Sequence, residues 1–106
     1  MNPENLKELA EAKFKHALFR KNLKERIEAQ LVVTHNGGLF KSTPELMAFL
    51  WMWHDNDMIL EDVYQNPIRI DKLKLLDQLK EAYQFAMNAW HVDFEESKKI
   101  RNATQV

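Results

Sequence analysis

From Glu4 to Gln30 the chain carries no glycine and no proline, and from Leu73 to its last residue it again carries neither. Both stretches are rich in Ala, Leu, Lys and Glu, so helix is favoured at each end and only the middle of the chain is left for anything else. Pro3 suits the opening turn of the first helix, with Asn2 placed to cap it. Leu9, Ala12, His16, Phe19, Leu23 and Ile27 then recur in steps of three and four, which makes one apolar seam. Leu6, Ala10, Phe14 and Ala17 widen that face toward the N-terminus. In the second stretch Asp71 is the expected cap, and Leu73, Leu76, Leu79, Tyr83, Ala86, Trp90 and Phe94 form the most regular stripe in the sequence. That helix is expected to fade near Ser97, giving a single domain over residues 1–100 and a polar tail over 101–106.

The only two glycines of the chain are adjacent, in "LVVTHNGGLFKST". A phosphate-cradling loop would need a buried strand before it and a lysine just inside the helix after it, whereas Lys41 precedes the helix. The stretch reads instead as a hairpin. Leu31 to Thr34 are strand formers, Asn36-Gly37 supplies the positive-φ pair of a type I′ turn, and Leu39-Phe40 begins the return, with Gly38 available for a bulge. Ser42-Thr43-Pro44-Glu45 announces the next helix, either with Thr43 as cap and Pro44 in the first turn or with Ser42 and Glu45 as a capping box. The body of that helix, "ELMAFLWMW", is apolar all round. "MILEDVYQ" reads as a further short helix stopped by Asn66-Pro67, and Ile68-Arg69-Ile70 as a brief extended link. The expected fold is therefore mainly α: a small bundle of two long and two short helices with one β-hairpin inserted between the first and second.

Composition narrows the function classes. With 106 residues, 45% of them hydrophobic and 29% charged, the chain has the make-up of one globular domain. It has no cysteine, which removes disulfides, thiolate nucleophiles and zinc-finger sites. The N-terminus is charged from its fourth residue and lacks the apolar core of a secretory signal, so a cytoplasmic location is expected. No apolar run approaches the ~20 residues that cross a bilayer. Net charge is −1 and by itself points to no partner.

Three sets of residues are candidates for function. Phe40, Met47, Trp51, Met52 and Trp53 combine the residue types that concentrate where proteins meet. Together with two long amphipathic helices they exceed what a compact monomer readily covers. The expected function is therefore a non-enzymatic interaction or assembly protein, self-associating as a homo-oligomer, most simply a dimer, or binding another protein. The alternative is a small nucleic-acid-binding regulator, because Lys13, Lys15, Arg20, Lys21, Lys24 and Arg26 are interleaved with Phe14 and Phe19 against the single acid Glu25. A second alternative is a metal-dependent enzyme, because a continuous helix would put His54, Asp57 and Glu61 on one side. No nucleophile elbow, paired His motif or glycine-bearing calcium loop accompanies them, and no cofactor is expected.

Overall fold

A computed structural model describes residues 3–104, with side chains described for residues 5–100. The cap expected at Asn2 and the last two residues of the expected tail lie outside that range. The order of elements is α1 (Pro3–Gln30), β1 (Val32–His35), β2 (Gly38–Lys41), α2 (Pro44–Met52), β3 (Asp57–Glu61), β4 (Pro67–Asp71) and α3 (Lys72–Thr104). The two long helices are where the sequence places them, and α3 runs on past Ser97.

The bundle of four helices does not form. The described residues contain three helices and two antiparallel hairpins, and "MILEDVYQ", expected to be the second short helix, is strand β3 followed by a turn. The reason lies in the alternation: Met58 and Leu60 turn toward the core while Asp57, Ile59 and Glu61 are exposed. Ile59, an apolar residue on the outer face, masks that period of two. Asp62 then builds the reversal. Its carboxylate accepts the N–H groups of Tyr64 at 3.0 Å and Asn66 at 2.9 Å, and Gln65 takes the left-handed conformation at φ 64°. Pro67 pairs with Glu61 at the start of β4, a strand position that loses little by lacking an N–H. What was expected as a link, Ile68-Arg69-Ile70, is the middle of that strand.

The first hairpin is as the sequence reads. Asn36 and Gly37 have φ of 50° and 82°, and His35 pairs directly with Gly38 across a two-residue turn without a bulge. Gly38 has a different role. A Cβ there would lie 2.7 Å from Ile68 Cγ1 and 3.0 Å from the Phe40 ring, so the missing side chain is what lets the two hairpins pack. They are also stitched by hydrogen bonds: Val63 N–H to the Leu39 carbonyl at 2.9 Å, Leu39 N–H to Asp62 Oδ2 at 3.2 Å, and Asn36 Nδ2 to the Arg69 carbonyl at 2.9 Å.

Helix α2 settles the choice of caps. Thr43 Oγ1 accepts the Leu46 N–H at 3.1 Å, with Pro44 in the first turn, while Ser42 is buried and its hydroxyl donates to the Leu79 carbonyl at 2.5 Å. The start of α3 is capped by Asp71, whose Oδ1 accepts the Lys74 N–H at 3.2 Å. Phe40, Leu50, Ile70, Leu75, Leu76 and Leu79 form the main core, so both hairpins and α2 wrap the first turns of α3. A smaller core of Ile27, Leu31 and Ala86 joins the end of α1 to α3.

The molecule is long. Its extents are 66 × 25 × 19 Å and its radius of gyration is 19.9 Å, against about 13 Å for a compact chain of this length. The excess length comes from α1 and α3, which leave the head together as an antiparallel two-helix arm. Among the described residues no helix is long and apolar enough to cross a membrane.

Candidate interaction site on the two-helix arm

The arm begins where the head's core ends. Leu23, Tyr83 and Met87 pack on the small core, and Arg26 pairs with Asp93 at 2.7 Å across the helices. Beyond that, burial stops: from Asn5 to Asn22 every residue of α1 is exposed, and no residue of α3 from Met87 to Ile100 is fully buried. The apolar spacing does not stop with it. Leu9 and Phe19 on α1, and Trp90, Phe94 and Ile100 on α3, are each about half exposed or more.

Two features of the arm have definite geometry. Along one side of the helix pair runs a groove whose best-formed part is a cavity of about 330 Å³, floored by Leu23, Ile27, Leu31, Met87 and Trp90 with Arg20 and Lys24 at its mouth. Two further hollows adjoin it, one along α1 at Leu9, Ala12, Lys13, His16, Ala17 and Arg20 and one along α3 at Met87, Trp90, His91 and Phe94, with Lys98 Nζ 5.6 Å from the Phe94 ring centre. The second feature is a row of Leu6, Ala10, Phe14 and Leu18 at strict four-residue steps. It lies on average about 150° around α1 from the seam, given ~3.6 residues per turn, so Leu6, Ala10 and Phe14 form a second face rather than widening the first as expected. Phe14 is 69% exposed.

The interface candidates separate into two groups. Phe40, 1% exposed, is part of the main core, and Met47 is partly buried against it. Trp51 and Met52 stand out from the end of α2 at 71% and 82% exposure, with Lys80 Nζ 5.4 Å from the Trp51 ring centre, and Trp53 stacks on His54.

The six cations of α1 are all exposed, but they do not make one face. Lys13, Arg20 and Lys24 fall within about 40° of one another on the groove side of the seam, Lys15 and Arg26 on its other side, and Lys21 on the back. Arg26 is held by Asp93. The arrangement that sequence reading missed is therefore a basic rim on one edge of an apolar groove, a pattern that the helical wheel of α1 carries but that needs the position of α3 to become a site.

The residues proposed for a metal are not brought together. In place of the helix that would have aligned His54, Asp57 and Glu61, the last two lie on strand β3, in which residues four apart are ~13 Å from each other, and His54 lies in the link before it. Asp57 instead accepts from Arg69 Nε at 2.9 Å and Nη2 at 2.6 Å, and this guanidinium holds its carboxyl below the usual range. No group of three or more His, Asp or Glu side chains is placed to share a metal ion among the described residues.

The remaining perturbed carboxylates serve the fold. Asp62 is lowered by the N–H of Asn66, with those of Leu39 and Tyr64, and Asp71 by the N–H of Lys74. Glu28 is lowered by its bond to Lys41, which ties α1 to β2. His35, beside the turn, is buried: its Nε2 accepts the Asp71 N–H at 3.2 Å and its Nδ1 donates to Gln78 Oε1 at 2.7 Å. This needs the neutral ring with the proton on Nδ1. His16, expected in or beside the core, is exposed on the arm. No protein-family model matches the chain, and no curated protein and no solved structure is significantly similar to it.

Proposed function

We propose that this is a non-enzymatic assembly protein that self-associates through the outer row of α1, with the head as a rigid base and the two-helix arm as the working part. The observation that carries this reading is the long exposed run from Asn5 to Asn22 in a helix that still bears Leu6, Phe14 and Leu18. An amphipathic helix draws most of its stability from the face it buries, and this one has nothing of its own chain to bury that row against.

The occupant is a second copy, because the row is complementary to itself. Turned antiparallel about a two-fold axis near residue 12, α1 sets Leu6 opposite Leu18 of its partner and Ala10 opposite Phe14, a small residue against a large one at the central contacts. A row of this i±4 type packs into its own counterpart at the commonest helix crossing angle, and a two-fold interface requires only that one patch fit itself.

Sedimentation at several concentrations tests the reading. The protein is expected to be a dimer or larger, and Ala10→Glu, which places a charge at the centre of the row, is expected to give a monomer with an unchanged thermal midpoint for the head. A wild-type chain that stays monomeric at every concentration overturns it.

A further inference from the structure

The groove between α1 and α3 is a different surface from the outer row, and its charge sets a different requirement. Its floor is apolar, Leu23, Ile27, Met87 and Trp90, while its edges carry Lys13, Arg20 and Lys24 from α1 and Lys98 from α3. Of the acids nearby, Glu28 is paired with Lys41 and Asp93 with Arg26. A second copy placed here by two-fold symmetry would set this basic rim against itself, which like-charge repulsion disfavours. We infer that the groove takes an acidic amphipathic helix of another protein, its apolar face on Leu23, Ile27 and Trp90 and its carboxylates against Arg20, Lys24 and Lys98.

Shape agrees with charge. From Arg20 to Leu31 the cavity that both helices line extends for ~17 Å, about three helical turns, and a third helix laid along two antiparallel ones completes a three-helix bundle. Helix-in-groove recognition depends on such a pairing of apolar floor and charged rim. A nucleic acid is a poorer fit, since phosphates gain nothing from an apolar floor and three of the six α1 cations lie off this edge.

The test uses synthetic helices of about 20 residues, labelled for fluorescence anisotropy and carrying leucine on one face with either glutamate or lysine along both flanks. A mixed-sequence DNA duplex serves as a third probe. The glutamate helix is expected to bind the wild-type chain at least tenfold more tightly than the lysine helix, and the duplex not at all. The double variant R20E/K24E, at exposed positions that leave the head intact, is expected to reverse the preference between the two helices. Equal binding of both helices, no binding of the glutamate helix, or no change of preference in the variant each overturns the inference. Duplex binding lost in the variant would replace it with a nucleic-acid site. None of these outcomes depends on self-association, because Ala10→Glu leaves the groove untouched and is expected to bind the glutamate helix as the wild type does.

Discussion

Helix α3 passes through both halves of the molecule, and the two halves treat it differently. Within the head Leu75, Leu76 and Leu79 are buried under two hairpins and α2, and Ala86 under the end of α1. Along the arm Trp90 and Phe94 continue the same spacing and are covered only in part. The two segments are alike in period and in apolar content, so neither explains the difference. It comes from the partner available at each level: four strands and a helix on one side of the Ile27 and Ala86 contact, a single helix on the other. Periodicity in a sequence identifies a helix and its stripe, and says nothing about whether the same chain supplies the cover. Substitutions in the head should therefore cost stability, and substitutions in the arm should cost association.

The sharpest division is expected at Phe40. It is 1% exposed in the main core, and Phe40→Ala removes a buried ring, so a loss of about 3–5 kcal/mol in denaturant unfolding is expected. A loss below about 1 kcal/mol, the range of surface changes, would mean that the head is not the stable half. Gly38→Ala comes next. The new methyl would press on Ile68 and Phe40, and overpacking of this kind costs about 1–3 kcal/mol. Because the closest atom is Ile68 Cγ1, which valine would keep, Ile68→Ala is the change that removes the contact, and Gly38→Ala is expected to cost less in that background than in the wild type, which separates a packing clash from a backbone effect.

A smaller and pH-dependent effect is expected at Asp62, whose carboxylate holds together the β3 to β4 reversal and the edge of β2. Its folded pKa lies below the unfolded value, so the unfolded chain binds more protons as pH falls and stability drops with it. The contribution is complete above about pH 4, the unfolded value of an aspartate, and is lost as pH falls through the lower folded value. Asp71 and Asp57 act in the same direction. Asp62→Asn keeps one acceptor but turns an N–H donor toward that of Leu39. It should be less stable than the wild type at neutral pH, and the gap should close in strong acid. A gap that is constant with pH would assign the effect to packing.

How much of this was legible depends on where side-chain period and burial agree. The two long helices and the Asn36-Gly37 turn depend on local chemistry and stand as read, and the Thr43 cap is one of the two alternatives that local chemistry left open. Strands β3 and β4 were hidden because Ile59 occupies an outward position and Glu61-Asp62 suits a helix as well as a strand end, so local preference pointed one way and the packing of Met58, Leu60 and Ile70 the other. Reading that segment as helix also created the alignment of His54, Asp57 and Glu61, which vanishes with it. Phe40 could not be placed from the sequence, since a hairpin residue faces core or solvent according to a partner, here Ile70 and Leu50, that lies elsewhere in the chain. The groove was invisible for the same reason: Lys13, Arg20 and Lys24 form a rim only once α3 supplies Trp90 and Phe94 as the opposite wall.

The smallest effect on stability is expected where the largest effect on assembly is. Phe14 is the most exposed large apolar side chain of α1 and has no described partner in its own chain, so its removal takes nothing from the folded monomer. Serine has nearly the same helix propensity as phenylalanine, so Phe14→Ser changes the surface of the arm without weakening α1 as a helix. At a concentration where the wild type is monomeric, the two chains should unfold within about 0.5 kcal/mol of each other, as surface substitutions do. At a concentration where the wild type associates, the variant should sediment as the lighter species and the wild type alone should gain stability with concentration, because binding that favours the folded state raises its apparent stability. Should Phe14→Ser instead destabilise the isolated monomer by as much as Phe40→Ala, then α1 packs against its own head, and the division between a self-sufficient head and a partner-seeking arm fails.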